Sequence, residues 1–222
     1  MGGEVDETSK RDAVDGVSAG SVSDQTPPVK LGRRRSPATR KAILAAVLST
    51  LRRETYAAIS IERIAAKAKV SKHSIYRWWN SKGELVLDAF IDYALKHAVR
   101  IEGSADSFAD LERFVLHALR SWEDPVFDKG WRGLVAEMSF DAELREKFNE
   151  IYLAPRKRHV AGIVMLGVER GQFRGDCDVD GVVEVVLGFM WLHILFDPPG
   201  MDEDDTVQKL MKVLRPSLRI AP

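Results

Sequence analysis

The chain has 222 residues, 45% hydrophobic and 30% charged, and its 33 basic and 33 acidic side chains cancel. That length allows one large or two small domains with an ordinary core, and a neutral total by itself argues against a nucleic-acid partner. The single cysteine, Cys177, excludes an internal disulfide and fits a reducing cytoplasm.

Partitioning the charge changes the picture. From Lys30 to Lys82 there are fourteen Lys and Arg against two acidic residues, Glu54 and Glu62, a net of +12. Residues 1–29 carry a net of −4 and residues 83–222 a net of −8. A basic module on an acidic body suits a phosphate-binding head joined to a separate domain.

Residues 1–30 are rich in Gly, Ser, Asp and Val, contain adjacent Pro27 and Pro28, and show no apolar periodicity. They are predicted to be a disordered tail, and their acidic start lacks the apolar segment of a signal peptide. Ser36-Pro37 then gives a helix start, a capping hydroxyl followed by proline at the first helical position. Ile43, Leu44, Val47, Leu48 and Leu51 form its apolar stripe.

The segment from Ser60 to Lys82 is the most informative. Ile61, Ile64, Ala65 and Ala68 fall at helical spacing behind Ser60, whose oxygen is placed as an N-cap. After a break at Lys69-Val70, Ser71 is placed to cap a second short helix whose Ile75 and Trp79 point inward. Two short helices, a tight turn and a polar outer face make a helix-turn-helix, which lays its second helix in a DNA major groove.

These residues resemble the TetR family of bacterial transcriptional regulators. The resemblance is carried by Tyr56, by Ile64-Ala65-Ala66-Lys67-Ala68, by Val70-Ser71 and by Ile75-Tyr76-Arg77-Trp78-Trp79-Asn80-Ser81-Lys82. Two positions depart: Lys69 and Thr55 stand where the family usually has Gly. Lys69 must accept a left-handed backbone at some cost or close the turn differently. The resemblance implies that Lys72, His73, Ser74, Tyr76, Arg77 and Trp78 meet double-stranded DNA, with Lys82 on the backbone after the helix. Lys72 and Arg77 have donors long enough for guanine edges or phosphates. Tyr76 is suited to give its hydroxyl to a phosphate, and Trp78 either donates its indole N–H to phosphate or packs on a thymine methyl. Ser60, at a helix N-terminus, suits a phosphate. Arg33, Arg34 and Arg35 form an arm that either enters a minor groove or only adds nonspecific affinity.

Beyond the motif nearly everything reads as helix. Ser81-Lys82-Gly83-Glu84 is a capping box opening a helix to about Ile101. A second begins near Ala105, with Leu111, Val115, Leu119 and Trp122 on one face, and a shorter one covers Gly130 to Ser139. A long helix runs from Asp141 to Arg170, stopped by Gly171 and kinked at Pro155. Val179 to Phe196 is apolar nearly all round, but the longest apolar run, Val182 to Phe196, is interrupted by Glu184 and His193 and is shorter than the roughly 20 residues of a membrane span, so no membrane partner is expected. The last helix, after Asp197-Pro198-Pro199-Gly200, presents Leu210, Leu214 and Leu218. The fold class is all-α: a three-helix helix-turn-helix domain at 31–82 and a helical effector-binding and dimerisation domain at 83–222.

By the resemblance, the last two helices form a four-helix bundle with a second copy of the chain, and Leu187, Trp191, Leu210 and Leu214 are the expected interface residues. The other reading of Val179–Phe196 is a core helix of a monomer. The same resemblance places an effector pocket in the body. Its expected lining is Phe114, His117, Trp122, Trp131, Met138, Phe148 and Tyr152, although large apolar residues are often plain core. His117 and Glu137 are polar groups within apolar helices, either of which suits orienting a ligand.

Catalysis finds no support. His73, His97, His117, His159 and His193 lie at least twenty residues apart, which leaves no local metal-binding pair, and no cofactor motif is present. Cys177 sits between Asp176 and Asp178, which disfavour a thiolate. The expected protein is a homodimeric cytoplasmic repressor, released from a palindromic operator by a small, mainly apolar ligand. A same-fold activator, a regulator without a small-molecule effector, and a helical enzyme or assembly subunit are the alternatives.

Overall fold

The helices follow one another from Ser36 with short connections, and no strand occurs among the described residues. In this computed structural model those are 36–96, 103–196 and 202–220. The elements are α1 (Pro37–Leu51), a 3-10 turn (Tyr56–Ala58), α2 (Ile61–Ala68), α3 (Lys72–Tyr76), α4 (Lys82–Lys96), α5 (Ser107–Ser121) and α6 (Pro125–Met138). They continue with α7 (Ala142–Phe148), a π-helical segment (Asn149–Leu153), α8 (Ala154–Glu169), α9 (Val179–Phe196) and α10 (Glu203–Leu218). The tail at 1–30, the arginines at 33–35 and the Asp197-to-Gly200 connection lie outside the described residues.

Capping explains most helix starts. Ser60 and Ser71 accept hydrogen bonds from the amides of Arg63 and Ser74 at 3.2 and 3.1 Å, while Asp106, Asp124, Asp141 and Asp202 cap α5, α6, α7 and α10. The Glu84 amide donates to the Ser81 hydroxyl at 3.1 Å, and the Glu84 carboxylate takes the Asn80 amide at 2.9 Å, one residue earlier than in the usual capping box. Ser36 has the extended backbone of an N-cap, but its side chain makes no cap hydrogen bond; Pro37 carries that start.

Two expectations about backbone geometry resolve clearly. Lys69 adopts the left-handed conformation, with φ 55° and ψ 46°. Its amide donates to Ala66 O and the Val70 amide to Ala65 O, a Schellman closure that ordinarily takes Gly. At Pro155 the helix does not simply kink. Proline has no amide to donate and crowds the carbonyl four residues before it, so the chain widens into the π-helical turn just ahead, where the Ala154 amide reaches Asn149 O. α6 also begins earlier than expected, at Pro125, because Asp124-Pro125 is itself a cap followed by a first-turn proline.

The head is α1, α2 and α3 packed on the start of α4, around Ile43, Leu44, Val47, Leu51, Ile64, Ile75 and Trp79. Asp88 of α4 fastens it. The carboxylate accepts both Arg40 bonds at 2.6 and 2.7 Å and the Trp79 indole N–H at 2.8 Å. In the body, α8 packs on α5 and α9, and α10 covers α5.

The outer helices correct the expected interface. Leu187, Leu210 and Leu214 are buried in the chain's own core, where Leu187 joins Val183, Val186, Met190 and Ile194 on the inner face of α9. Trp191 is half-buried against the rings of Trp122 and Trp131, with centroids at 6.1 and 5.3 Å. The exposed apolar stripe is instead Val185 (47% exposed), Leu192 (54%) and Phe196 (76%) on α9, with Val213 (62%) on α10. A helix apolar on every side gives no periodicity from which to read which stripe turns inward. Among the described residues α9 alone is long and apolar enough, by length and composition only, to cross a membrane. Its inner face, Val183, Val186, Leu187, Met190 and Ile194, is buried in the protomer, and its outer face is not.

Candidate nucleic-acid interface and internal cavity

Burial of Ile75 and Trp79 fixes the rotation of α3, and the opposite side is turned outward. Lys72, His73 and Tyr76 are exposed there, and Ser74, Arg77 and Trp78 are partly covered. The Lys72 ammonium lies 3.0 Å from the Glu62 carboxylate of α2. The Glu62 hydrogen bond raises the Lys72 pKa, while the Glu62 pKa is lowered first by a backbone hydrogen bond and then by Lys72. Both side chains are more than half exposed, so the pair is weak and its lysine can exchange Glu62 for a phosphate. Glu62 entered the sequence reading only through the charge balance, because only the angle between α2 and α3 brings these residues together. Ser60 sits at the start of α2 with its oxygen used as a cap.

Lys82 has another engagement. Its ammonium stands 4.1 Å over the Tyr56 ring and 3.8 Å from the Glu137 carboxylate, so it braces the head against α6. Tyr56 donates its hydroxyl to Glu137 at 2.6 Å. Burial first, and then the hydrogen bond to Glu137, push the Tyr56 pKa far above the ordinary phenol value, so the hydroxyl stays a donor. Gly133 makes this approach possible, since a Cβ there would lie 2.5 Å from Tyr56 Cβ. Glu137 therefore serves the contact between head and body, away from any ligand-orienting position.

A cavity of about 480 Å³ opens between α4, α5, α6 and α8, inside the range of small-molecule sites. It is lined by Tyr93 and Ala94 from α4, by Phe114, His117, Ala118, Arg120 and Ser121 from α5, and by Trp122, Asp124 and Phe127 at the turn into α6. Tyr152, Pro155, Arg156 and His159 close it. Four of the seven expected residues, Phe114, His117, Trp122 and Tyr152, are in this wall. Trp131 and Phe148 form the layer behind it, with centroids 5.4 and 5.1 Å from that of Tyr152. Met138 is buried at the other end of α6, seven residues or about 10 Å beyond Trp131.

The polar members of the wall were less legible. The Arg156 guanidinium stacks 3.4 Å over the Tyr152 ring and donates to Tyr152 O at 3.2 Å. Among the described residues no carboxylate pairs with it. Burial holds its pKa below the ordinary guanidinium value and raises that of Tyr152. Burial, and then Arg156, lower that of His117. Asp124 spends its carboxylate on the Val126 amide at 2.8 Å and the Tyr93 hydroxyl at 2.5 Å. His159 stacks on Phe114 with centroids 5.3 Å apart.

Comparison with known proteins gives consistent matches. Residues 43–89 match the family model for bacterial regulatory proteins, tetR family, and residues 103–213 match the tetracyclin repressor-like C-terminal domain. The chain is 28% identical over 172 residues to the uncharacterized HTH-type transcriptional regulator YdeS of Bacillus subtilis, covering 75% of this chain and 83% of YdeS. Among solved structures, the TetR family transcription regulator SCO0332 aligns with a TM-score of 0.62 at 27% identity, over 83% of this chain and 99% of that one. The regulator FadR from Bacillus subtilis, solved in complex with stearoyl-CoA, aligns with a TM-score of 0.60 at 19% identity, over 78% and 96% of the two chains. That last likeness is one of fold.

Proposed function

The chain belongs to the TetR family of bacterial transcriptional regulators, and from that premise we propose that it is a homodimeric cytoplasmic repressor released from its operator by a small, mainly apolar ligand. Residues 31–82 form the DNA-reading domain and residues 83–222 the effector and dimer domain. Lys72, His73, Ser74, Tyr76, Arg77 and Trp78 meet the major groove, and Ser60 supports a phosphate at the α2 N-terminus. The outer stripe of Val185, Leu192 and Phe196 joins the same stripe of a second copy. Gly188, open on that face, allows the helices to approach closely.

The observation that carries this reading is the placement of α6. The helix starts in the cavity wall at Asp124 and Phe127 and ends at Gly133 and Glu137 against Tyr56 of the head. A ligand that prefers one position of α6 therefore biases the position of the head. In a dimer this changes the spacing of the two recognition helices and lowers operator affinity by population shift. FadR, of the same fold, is a precedent for a ligand complex.

The test begins with selection of bound fragments from the source genome, which should yield a near-palindrome with half-sites about one helical turn or more apart. Transcription from that promoter in vitro should then fall when the protein is added. A rise would overturn repression and leave DNA binding standing. Absence of any salt-sensitive specific binding would overturn the DNA reading itself.

A further inference from the structure

The geometry points to an organic acid as the cavity's ligand, its carboxylate on Arg156 and its aromatic or compact aliphatic body against Phe114, Trp122 and Phe127. This deepens, and rests on, the reading of the cavity as the effector site. A partly buried guanidinium without an acidic partner is unfavourable, because a neutral carbonyl and a ring offset only part of the cost of desolvating the charge. Arg156 has only the Tyr152 carbonyl and ring as neighbours of opposite polarity among the described residues. These use one edge and one face of a group with five donors, so a forked edge is left for a planar carboxylate.

The other polar groups of the wall fit a single negative charge. Arg120 is paired with Asp204 at 2.9 Å, and the Asp124 carboxylate is committed to the α6 cap and the Tyr93 hydroxyl. His117, whose pKa is lowered by burial and then by Arg156, adds an imidazole N–H to the same wall. With Arg120 paired and Asp124 committed, Arg156 is the one guanidinium of the wall without a carboxylate partner among the described residues, which matches a monoanion. The cavity volume of about 480 Å³ suits a compact acid. Tyr93, Trp122, Phe127 and Asp124 together supply the opposite chemistry, an aromatic and acidic wall for an ammonium ion. The test must therefore decide between head groups.

The probes are 3-phenylpropionate, 3-phenylpropionamide and phenethyltrimethylammonium, which share a body and differ in charge, titrated calorimetrically into the full chain. The acid should bind at least about tenfold more tightly than the amide, as a charge-assisted forked contact requires. In Arg156→Gln that preference should vanish while amide affinity is kept. Without ligand, Arg156→Met should melt at a higher temperature than the wild type, a rise that a purely structural arginine would not give. Equal binding of acid and amide, tighter binding of the ammonium probe, or an acid preference that survives Arg156→Gln would overturn the anion assignment and leave the cavity reading intact. Failure of all three probes to bind would overturn both.

Discussion

The helix-turn-helix head and the helical body place their candidate surfaces oppositely. In the head the surface points outward from one short helix whose rotation is set by two buried anchors, Ile75 and Trp79. In the body the surface points inward and is assembled from four helices, with residues as far apart as Tyr93 and His159 in one wall. An outward surface is specified by local periodicity, because whatever is not an anchor is exposed. An inward one requires every helix to be placed first. The same contrast holds between the two faces of α9, where one stripe belongs to the protomer core and the other is left bare.

The largest expected effects test that division on α9. Leu187→Glu should destabilise the fold by about 4 kcal/mol or more, because it puts a charge into the protomer core, and chemical denaturation would measure the loss. Leu192→Glu, on the exposed stripe, should keep the melting temperature of a folded protomer while analytical ultracentrifugation shows dissociation. If Leu187→Glu stays folded and becomes monomeric while Leu192→Glu remains dimeric, the assignment of the faces is reversed. Next in size is Tyr56→Phe, which removes the hydroxyl donated to Glu137 and should lower stability by about 1–2 kcal/mol. Its operator should also be harder to release with ligand, since the contact ties α6 to the head; unchanged release would show that α6 does not carry the coupling.

Smaller effects belong to the head. Lys72→Ala should leave the fold intact, weaken operator binding, and reduce the slope of log affinity against log salt by about one if the lysine neutralises a phosphate. Removing the competing carboxylate with Glu62→Gln should act in the opposite direction on affinity. Fluorescence anisotropy across a salt series reads both, and equal slopes for wild type and Lys72→Ala would remove Lys72 from the phosphate contacts. The smallest change is Lys69→Gly, which relieves a left-handed lysine and should raise stability by up to about 1 kcal/mol, visible as a modest rise in melting temperature. A fall would mean that the backbone freedom gained by the unfolded chain outweighs the relief.

The caps at Ser60, Ser71 and Ser81 and the stripe through Ile61, Ile64 and Ala65 were legible because each involves residues three or four apart. The basic head stood out once the neutral total was divided along the chain. The resemblance put Lys82 on the DNA backbone, and the spacing gave no sign that the fold also sets it beside Tyr56 and Glu137. Met138 was misread as cavity lining because an apolar residue on a helix reveals that it is buried without revealing where along the axis the cavity lies.

The sequence by itself determined the all-α class, the helix-turn-helix with its two anchors, and the family resemblance, since all three rest on short-range spacing and local backbone chemistry. Only the tertiary structure decided which stripe of α9 turns inward, and it alone brought Glu62 to Lys72, Tyr56 to Glu137, and Arg156 into the aromatic wall. The first two pairings join residues 10 and 81 positions apart, and Arg156 shares its wall with Tyr93 and Phe114 of other helices. Packing of separate helices sets each of these contacts, and it leaves no periodic trace in the chain.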